Sequence, residues 1–298
     1  MGEYPFVSVI IPVLNDRDRL EICLQALEKQ TYPPELYEAI IVDNGSVENI
    51  ESLIKKFPQA SLIFEVQRGS YAARNKGISL AKGEIIAFTD SDCIPAPNWL
   101  EAGVRQLLLI PNCGFVAGKI KILFQDKNFP TAVEVFDSIF NLQQEKYVQK
   151  YHYGATANLF TFKKIFEEVG YFNFSLKSGG DAEWGGRVFA RGYSVIYADD
   201  TCVEHPARNS LAQLTKKVIR QTGGSYDKEK NQKQKRAILI TSLLGFRPPL
   251  RSAFRKAFST DTLKSRSRRL KLFFIILLIY YVSFFEKLRL QLGDKSKW

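Results

Sequence analysis

The sequence lacks the residue patterns that build the commonest metal and phosphate sites. It contains only two histidines, and its cysteines form no CxxC pair: Cys23, Cys93, Cys113 and Cys202. A zinc centre of cysteine and histidine ligands is therefore not expected. No glycine-rich GxGxxG follows the first apolar strand, where Pro12–Asp16 stands instead, and no GxxxxGK[ST] occurs. Any bound phosphate must therefore be held in another way.

Long apolar runs and secretory signals are also lacking. The N-terminus has no basic start followed by an apolar run, so no signal peptide is predicted. The uncharged segment 272–285 has only 14 residues, whereas a membrane-spanning helix needs about 20. The scattered cysteines fit a reducing compartment.

Acidic charge is scarce in the last third of the chain. The net charge of the 298 residues is +11, and residues 205–298 hold 22 Lys and Arg against 5 Asp and Glu, a balance of +17. This leaves −6 for residues 1–204. The hydrophobic content of 45% is that of a globular protein with one or two domains. We predict a front domain, 1–205, and a basic helical region, 206–298.

Apolar β-branched runs alternate with helical patterns in the front half. The sequence predicts strands at 6–12, 37–42, 61–66 and 85–88, with helices at 16–30, 46–57 and 69–81 between them. Such βαβ units predict an α/β fold with a mostly parallel sheet flanked by helices. The pattern then loosens: a helix at 98–109, a strand at 114–124, one helix at 131–146, a strand at 155–162, a helix from 178 to 190, and two short strands at 194–198 and 201–204.

The stretch Gly83–Asp92 is the sequence feature on which the functional interpretation depends most. Its apolar strand stops at Asp90 and Asp92, two carboxylates one residue apart. Ligands of open α/β sheets bind at the carboxyl ends of the strands, and oxygen ligands suit a hard divalent cation shared with a phosphate. A polar turn is the alternative. Further on, Asp181 opens a helix after two glycines, as a site residue or as a helix cap.

Five motifs in order make the chain resemble the family 2 glycosyltransferases. They are Val9–Asp16, Ile41–Ser46, Gly69–Gly77, Asp90–Asp92 and Gly179–Trp184. The resemblance covers roughly residues 6–205 and implies a GT-A-type, Rossmann-like fold that uses a nucleoside-diphosphate sugar. It also implies an inverting reaction with Mn²⁺ or Mg²⁺.

The resemblance assigns roles around the nucleotide. Asp43 would bind the base, usually uracil, whose imide N–H a carboxylate can accept. The other implied nucleotide-binding residues are Pro12, Asp16, Arg74, Asn75 and Asp90, the last of them near the ribose and the metal.

The resemblance also assigns the metal and the base. Asp92 would coordinate the cation that bridges the diphosphate, and His205 would be a further metal or diphosphate contact or a structural residue. Asp181 would be the general base that deprotonates the acceptor hydroxyl. Glu183 lies two residues away and stays an alternative base, because the family often has Glu-Asp where this chain has Gly180-Asp181.

Two further features bear on the substrate. Processive relatives carry QxxRW after the base, whereas this chain has Arg220–Tyr226, which predicts transfer of a single sugar. Trp184 and Tyr153 would either stack on an acceptor sugar or belong to the core. The expected substrates are a UDP-sugar and a polysaccharide, lipid-linked or other cell-envelope acceptor.

The basic C-terminal region suggests a surface partner. Basic residues at 264–271 precede the apolar run 272–285, and a second apolar stretch occupies 237–246. This pattern predicts attachment to the anionic cytoplasmic face of a membrane, with two ordinary helices as the alternative. The rival hypothesis is a non-catalytic sugar-nucleotide fold that serves as a basic membrane- or nucleic-acid-binding module. Nucleic acid is disfavoured because the aromatics cluster in one apolar run.

Overall fold

The computed structural model describes residues 4–230 and 247–296. Its first half is the expected βαβ alternation. The strands are β1 (Val7–Val13), β2 (Tyr37–Asp43), β3 (Ala60–Phe64) and β4 (Ile85–Thr89), and the connecting helices are α1 (Arg17–Leu27), α2 (Ile50–Ile54) and α3 (Ser70–Leu80). All the pairings among these strands are parallel, in the order β3-β2-β1-β4.

The sheet continues beyond β4 with antiparallel neighbours. The remaining elements of this part are β5 (Ile94–Pro95), α4 (Trp99–Leu109), β6 (Cys113–Leu123), α5 (Ala132–Phe140), α6 (Gln144–Tyr151), β7 (Asn158–Phe162), α7 (Lys163–Val169), α8 (Gly180–Ala190) and β8 (Ser194–Pro206). The full order is β3-β2-β1-β4-β7-β6-β8-β5. The fold is thus the mixed, mostly parallel sheet with flanking helices that the sequence predicts.

Strand β4 lies in the middle of this sheet and is buried at every position. It pairs with β1 on one side and β7 on the other. The chain enters β4 through Gly83, where a side-chain Cβ would lie 2.6 Å from the backbone nitrogen of Ser8 and 2.7 Å from the carbonyl oxygen of Phe6. Only glycine fits there without moving the backbone of β1. Asp90 and Asp92 consequently leave the sheet at the carboxyl end of a rigid strand.

Two sequence predictions are wrong in detail. The single helix expected at 131–146 is two helices, α5 and α6, because Leu142 takes a left-handed backbone conformation (φ 53°) that a right-handed helix cannot contain. The two short strands expected at 194–198 and 201–204 are one continuous strand, β8. Polar residues at 199–200 suggested a break, but a strand tolerates exposed side chains wherever one face is open to solvent.

The chain groups into two compact units. Residues up to Lys121, Leu142–Ser175 and Gly180–His205 form the first, which holds most of the sheet. The second consists of Ile122–Asn141, Leu176–Gly179 and the residues from Pro206 onward. The segments at 122–141 and 176–179 therefore group with the chain after His205, although the expected front domain ran continuously from 1 to 205.

The second unit is helical. Its described residues contain α5 and three further helices: α9 (Leu211–Lys230), α10 (Leu250–Phe258) and α11 (Arg266–Gln291). Helix α11 carries the apolar run 272–285 and packs against α5, α9 and α10. The buried face of α11 contributes Leu272, Ile276 and Ile279 to a hydrophobic core formed by the helices of the second unit. Among the described residues, none of the helices is long and apolar enough to cross a membrane. The stretch 237–246 lies outside the described residues.

Candidate active site

The carboxyl ends of β1, β2 and β4 bring several acidic side chains to one edge of the first unit. Asp16 follows β1, where it precedes α1 but makes no side-chain cap to that helix. One of its oxygens accepts a hydrogen bond from Ser91 Oγ at 2.7 Å, and the other accepts from Arg19 Nε at 2.5 Å. The loop after β1 is thereby tied to the loop after β4.

Asp43 ends β2 and is only 4% exposed. Its Oδ1 accepts a hydrogen bond from the backbone N–H of Ser46 at 2.9 Å. This bond fixes the orientation of the carboxylate, and the second oxygen can accept an N–H group from a ligand. Pro12 lies on β1, the neighbouring strand, opposite Val42. The two residues thus border the same end of the sheet.

Asp92 and His205 face each other. Asp92 Oδ1 lies 3.5 Å from His205 Nε2, and His205 is buried. Burial raises the pKa of the Asp92 carboxyl, whereas the neighbouring imidazole of His205 lowers it. The guanidinium of Arg19 lies 3.4 Å from the other carboxylate oxygen. A carboxylate and an imidazole nitrogen brought together at a strand end are suitable donors for Mn²⁺ or Mg²⁺.

Cys93 completes a geometric cluster with this pair, since its sulfur and the two donor atoms all lie within 4.8 Å of one another. A soft thiol is a poor ligand for a hard divalent cation, however. Burial raises the pKa of Cys93 well above its ordinary value, with Asp90 and Asp92 adding to the effect, and its Sγ donates to the carbonyl of Ala157 at 3.7 Å. Asp92 and His205 are therefore the two members of this cluster that could hold such a cation.

Arg74 and Asn75 are adjacent on α3, but their side chains bond different parts of the first unit. Arg74 is buried and donates from Nη2 to Asp90, so it fixes the first acid of the pair. Its Nε has no hydrogen-bond partner in the described part of the chain. Asn75 bonds the backbone of Phe172 in both directions, at 2.8 and 3.1 Å. The amide of Asn75 thus braces the segment before α8, and its expected part in nucleotide binding has no direct geometric support.

Asp181 opens α8, and its carboxylate lies against Thr156 and Tyr71. The carboxylate accepts from the backbone N–H of Thr156 at 3.3 Å and from Thr156 Oγ1 at 3.4 Å. The hydroxyl of Tyr71 accepts the N–H of Gly180 at 2.9 Å, and it lowers the pKa of the nearby Asp181 carboxyl. Burial raises the pKa of Asp181, and the charge of Arg74 opposes the rise. The carboxylate is therefore oriented by hydrogen bonds and poised as a stronger base than an exposed aspartate.

Glu183, the alternative base, is engaged elsewhere. Both of its oxygens accept hydrogen bonds from Arg187, at 2.8 and 3.2 Å. This pairing satisfies the carboxylate within α8 itself. The geometry therefore favours Asp181 over Glu183 as the proton acceptor.

The two aromatic candidates belong to the packing of the first unit. Trp184 is fully buried and stacks on Phe166 with ring centroids 4.7 Å apart. Tyr153 is half-buried and stacks on Tyr147 at 4.8 Å. The core alternative is thus correct for Trp184.

Three site residues were not predicted from the sequence. Thr156 donates to Asp181, Tyr71 bonds the neighbouring Gly180, and Arg19 bridges Asp16 and Asp92. Tyr71 does lie inside the Gly69–Gly77 motif, and Arg19 follows Asp16 by one helical turn, so both had a signal in the chain. Nothing in the sequence around Thr156 marks it.

Comparison with known proteins decides what kind of site this is. The model of "Glycosyl transferase family 2" matches residues 8–170, more than half of the chain. The chain belongs to glycosyltransferase family 2. The expected family, fold and enzyme class are thereby confirmed.

The relatives of this glycosyltransferase come from archaea and bacteria. Glycosyltransferase AglE of Haloferax volcanii is 41% identical over 223 residues, which are 72% of this chain and 71% of AglE. The pre-mycofactocin glycosyltransferase of Mycobacterium tuberculosis is 28% identical over 214 residues, 69% of this chain and 43% of that protein.

A solved structure shares the fold. The mannosyltransferase PcManGT of Pyrobaculum calidifontis, in complex with GDP-Man and Mn²⁺, superposes with a TM-score of 0.67 at 19% identity. The match covers 99% of this chain and 89% of that one. At this level of identity the likeness shows the fold alone.

Proposed function

We propose that this family 2 glycosyltransferase uses a divalent cation, Mn²⁺ or Mg²⁺, to transfer one sugar from a nucleoside-diphosphate sugar with inversion. The observation that carries the proposal is the arrangement at one sheet edge of the Asp92–His205 pair and the separately held Asp181. The cation would stabilise the charge of the leaving nucleoside diphosphate. Residues 1–205 would carry this chemistry.

Donor binding would use the edge formed by β1 and β2. Asp43 would accept an N–H of the base, and its fixed orientation selects bases that present a donor in that direction. Uracil offers its imide N–H and is our first choice. Guanine also offers N–H donors, and the fold relative PcManGT was solved with GDP-Man. Pro12, Asp16 and Asp90 would border the nucleotide.

Asp181 would act as the general base. The acceptor hydroxyl gives its proton to Asp181 while its oxygen attacks the anomeric carbon, and the bond from that carbon to the phosphate oxygen breaks. The bond electrons leave with the nucleoside diphosphate. One displacement inverts the anomeric centre. The two hydrogen bonds from Thr156 keep the carboxylate oriented in one direction throughout.

The basic C-terminal region would attach the enzyme to the cytoplasmic face of a membrane. Helix α11 exposes Leu270, Phe274, Leu278 and Phe285, and its beginning is rich in arginine. Exposed apolar residues next to cationic ones favour an anionic lipid surface. The acceptor would then be a polysaccharide, a lipid-linked saccharide or another cell-envelope component.

The first experiment is a thermal melt with UDP, GDP, dTDP or CDP, with and without Mn²⁺. A nucleotide at about 100 times its Kd stabilises the protein by about 2.7 kcal/mol. At about 2–4 °C per kcal/mol, this corresponds to a Tm rise of about 5–10 °C. We expect a metal-dependent rise with one nucleotide. No rise with any of them would favour the non-catalytic alternative.

Two variants then separate the roles. Asp92→Ala should lose the metal-dependent rise and turnover together. Asp181→Asn should keep the rise and lose transfer. Normal turnover by Asp181→Asn would remove this residue from the role of base.

The membrane attachment has its own test. Sedimentation with phosphatidylserine vesicles should bring down the protein at low salt and release it as salt is raised, because screening weakens surface electrostatics. A protein that stays in the supernatant at low salt would refute attachment.

A further inference from the structure

The second unit contains a cavity of its own. Helices α5, α9, α10 and α11 line a space of about 530 Å³ that is partly open to solvent. This volume lies within the range of small-molecule sites, which often form between the helices of bundles. None of the residues assigned above to sugar transfer lines it.

The walls of the cavity are largely apolar. Phe136 and Phe140 on α5 stack with ring centroids 4.6 Å apart, and Ile276 and Ile279 on α11 join them in the lining. Thr222 and Ser283 also line the cavity, but their hydroxyls bond each other at 3.0 Å. Their polar groups are thus satisfied without a ligand. A hydrocarbon chain would find a compatible surface here.

Two lysines add positive charge to this apolar lining. Lys256 and Lys287 both belong to the cavity wall, and both are exposed. Lys256 Nζ stands 4.3 Å from the ring centroid of Phe140. This contact holds one ammonium group directly over an apolar wall.

Two carboxylates on the helices that line the cavity are already paired. Glu286 accepts two hydrogen bonds from Arg289, the shorter at 2.7 Å. Asp137 is bound by Arg208 at 3.1 Å. Among the side chains that the structure describes, residues 4–227 and 247–296, no carboxylate forms an ion pair with either cavity lysine. A ligand can therefore supply an anion that pairs with the lysines.

We infer that this cavity binds a single lipid molecule with a phosphate headgroup. The lipid chain would lie against Phe136, Phe140 and Ile276, and the phosphate would pair with Lys256 and Lys287. The balance of +17 in residues 205–298 favours the approach of such an anion. This binding is distinct from attachment to a membrane surface, and it does not require that the enzyme transfer sugar.

The test is a calorimetric titration of the full chain with dodecyl phosphate below its micelle concentration. We expect saturable binding of one molecule per chain, with dodecanol and inorganic phosphate each binding much more weakly. Lys256→Glu with Lys287→Glu should weaken binding by about tenfold or more, since charge-assisted bonds are lost. The matched control, Lys264→Glu with Lys271→Glu, makes the same charge change on exposed residues outside the cavity and should change Kd by less than about twofold.

A second variant tests whether the ligand occupies the space of the cavity, which the charge changes at the lysines do not test. Ser252 is half-buried in the cavity wall, so Ser252→Trp should fill the space and abolish binding. Ser259→Trp, at an exposed position outside the cavity, should not.

Three results would overturn the inference: no saturable binding by the wild type, equal losses from both lysine pairs, or unchanged binding by Ser252→Trp. A thermal melt with nucleotide and Mn²⁺ on the same preparation tests sugar-nucleotide binding separately. Absence of lipid binding in the cavity can thus be distinguished from failure of the proposed glycosyltransferase function.

Discussion

Thr156 offers the most direct test of how Asp181 is tuned. A valine at this position keeps the shape of the side chain and removes the hydroxyl that donates to Asp181 Oδ1 at 3.4 Å. The backbone N–H of Thr156 continues to donate to the other oxygen at 3.3 Å. The variant therefore removes one hydrogen bond from the ionised carboxylate and leaves the carboxylate in place.

The expected effect follows from the strength of that bond. A hydrogen bond to a charged group contributes about 1.5–3 kcal/mol at good geometry. At 3.4 Å the bond from Thr156 is long, so we take its contribution to the stability of the ionised carboxylate as about 0.7 kcal/mol. This corresponds to a rise of about 0.5 in the pKa of Asp181, since one pKa unit is about 1.36 kcal/mol.

The direction in which activity changes with pH follows from the role of Asp181 as a base. Only ionised Asp181 can take a proton, and burial already raises its pKa above that of an ordinary aspartate. Activity should therefore fall as pH decreases through this raised pKa. In Thr156→Val the pKa is higher still, so the acid limb of kcat should move to higher pH while kcat on the plateau stays similar.

The assay is kcat against pH at saturating donor, acceptor and Mn²⁺. Thr161→Val is the matched control, because the buried Thr161 hydroxyl donates to the carbonyl of Gly114, away from any carboxylate. The control should leave the acid limb where it is. An unmoved limb in Thr156→Val, or a limb moved to lower pH, would refute the assignment of the limb to Asp181.

Three further predictions concern the support of the site and of the second unit. Tyr71→Phe removes the hydroxyl that accepts the N–H of Gly180 and that lowers the pKa of Asp181, and it should lower kcat about tenfold with little change in nucleotide binding. Gly180→Ala places a Cβ 2.7 Å from the Tyr71 ring and should cost about 1–3 kcal/mol of unfolding free energy, seen in a urea titration. Arg208→Ala leaves the buried Asp137 without its cation and should cost about 3 kcal/mol in the same assay; no loss would show that Asn141, which also bonds Asp137, suffices.

The parts of the site that the sequence can predict are those with a local signature. A buried apolar strand followed by carboxylates identifies a strand end, and strand ends of a parallel sheet meet at one edge. From the sequence alone, that rule assigns Asp43, Asp90 and Asp92 to the same edge. The family resemblance, rather than any pattern, points to Asp181 and His205.

The supporting contacts could not be predicted because they join distant parts of the chain. Thr156 lies 25 residues before Asp181 in the sequence, and Tyr71 lies 109 before Gly180. No periodicity links such positions. The break at Leu142 was missed for a different reason, since leucine carries no signal for a left-handed conformation. Glycine and asparagine indicate a turn in a sequence, whereas an aliphatic residue seldom does.

The neighbours of the site acids give a physical reason for their different roles. Asp16 is paired with Arg19, and Asp90 is paired with Arg74. Burial raises the pKa of both Asp92 and Asp181, but Asp92 faces the side chains of His205 and Arg19. In the described chain Asp181 has no ion pair, and neutral groups of Thr156 donate its hydrogen bonds. A carboxylate that is removed from water and has no paired cation binds a proton more readily than an exposed one. Asp181 is therefore the acid of this group that is best suited to accept a proton.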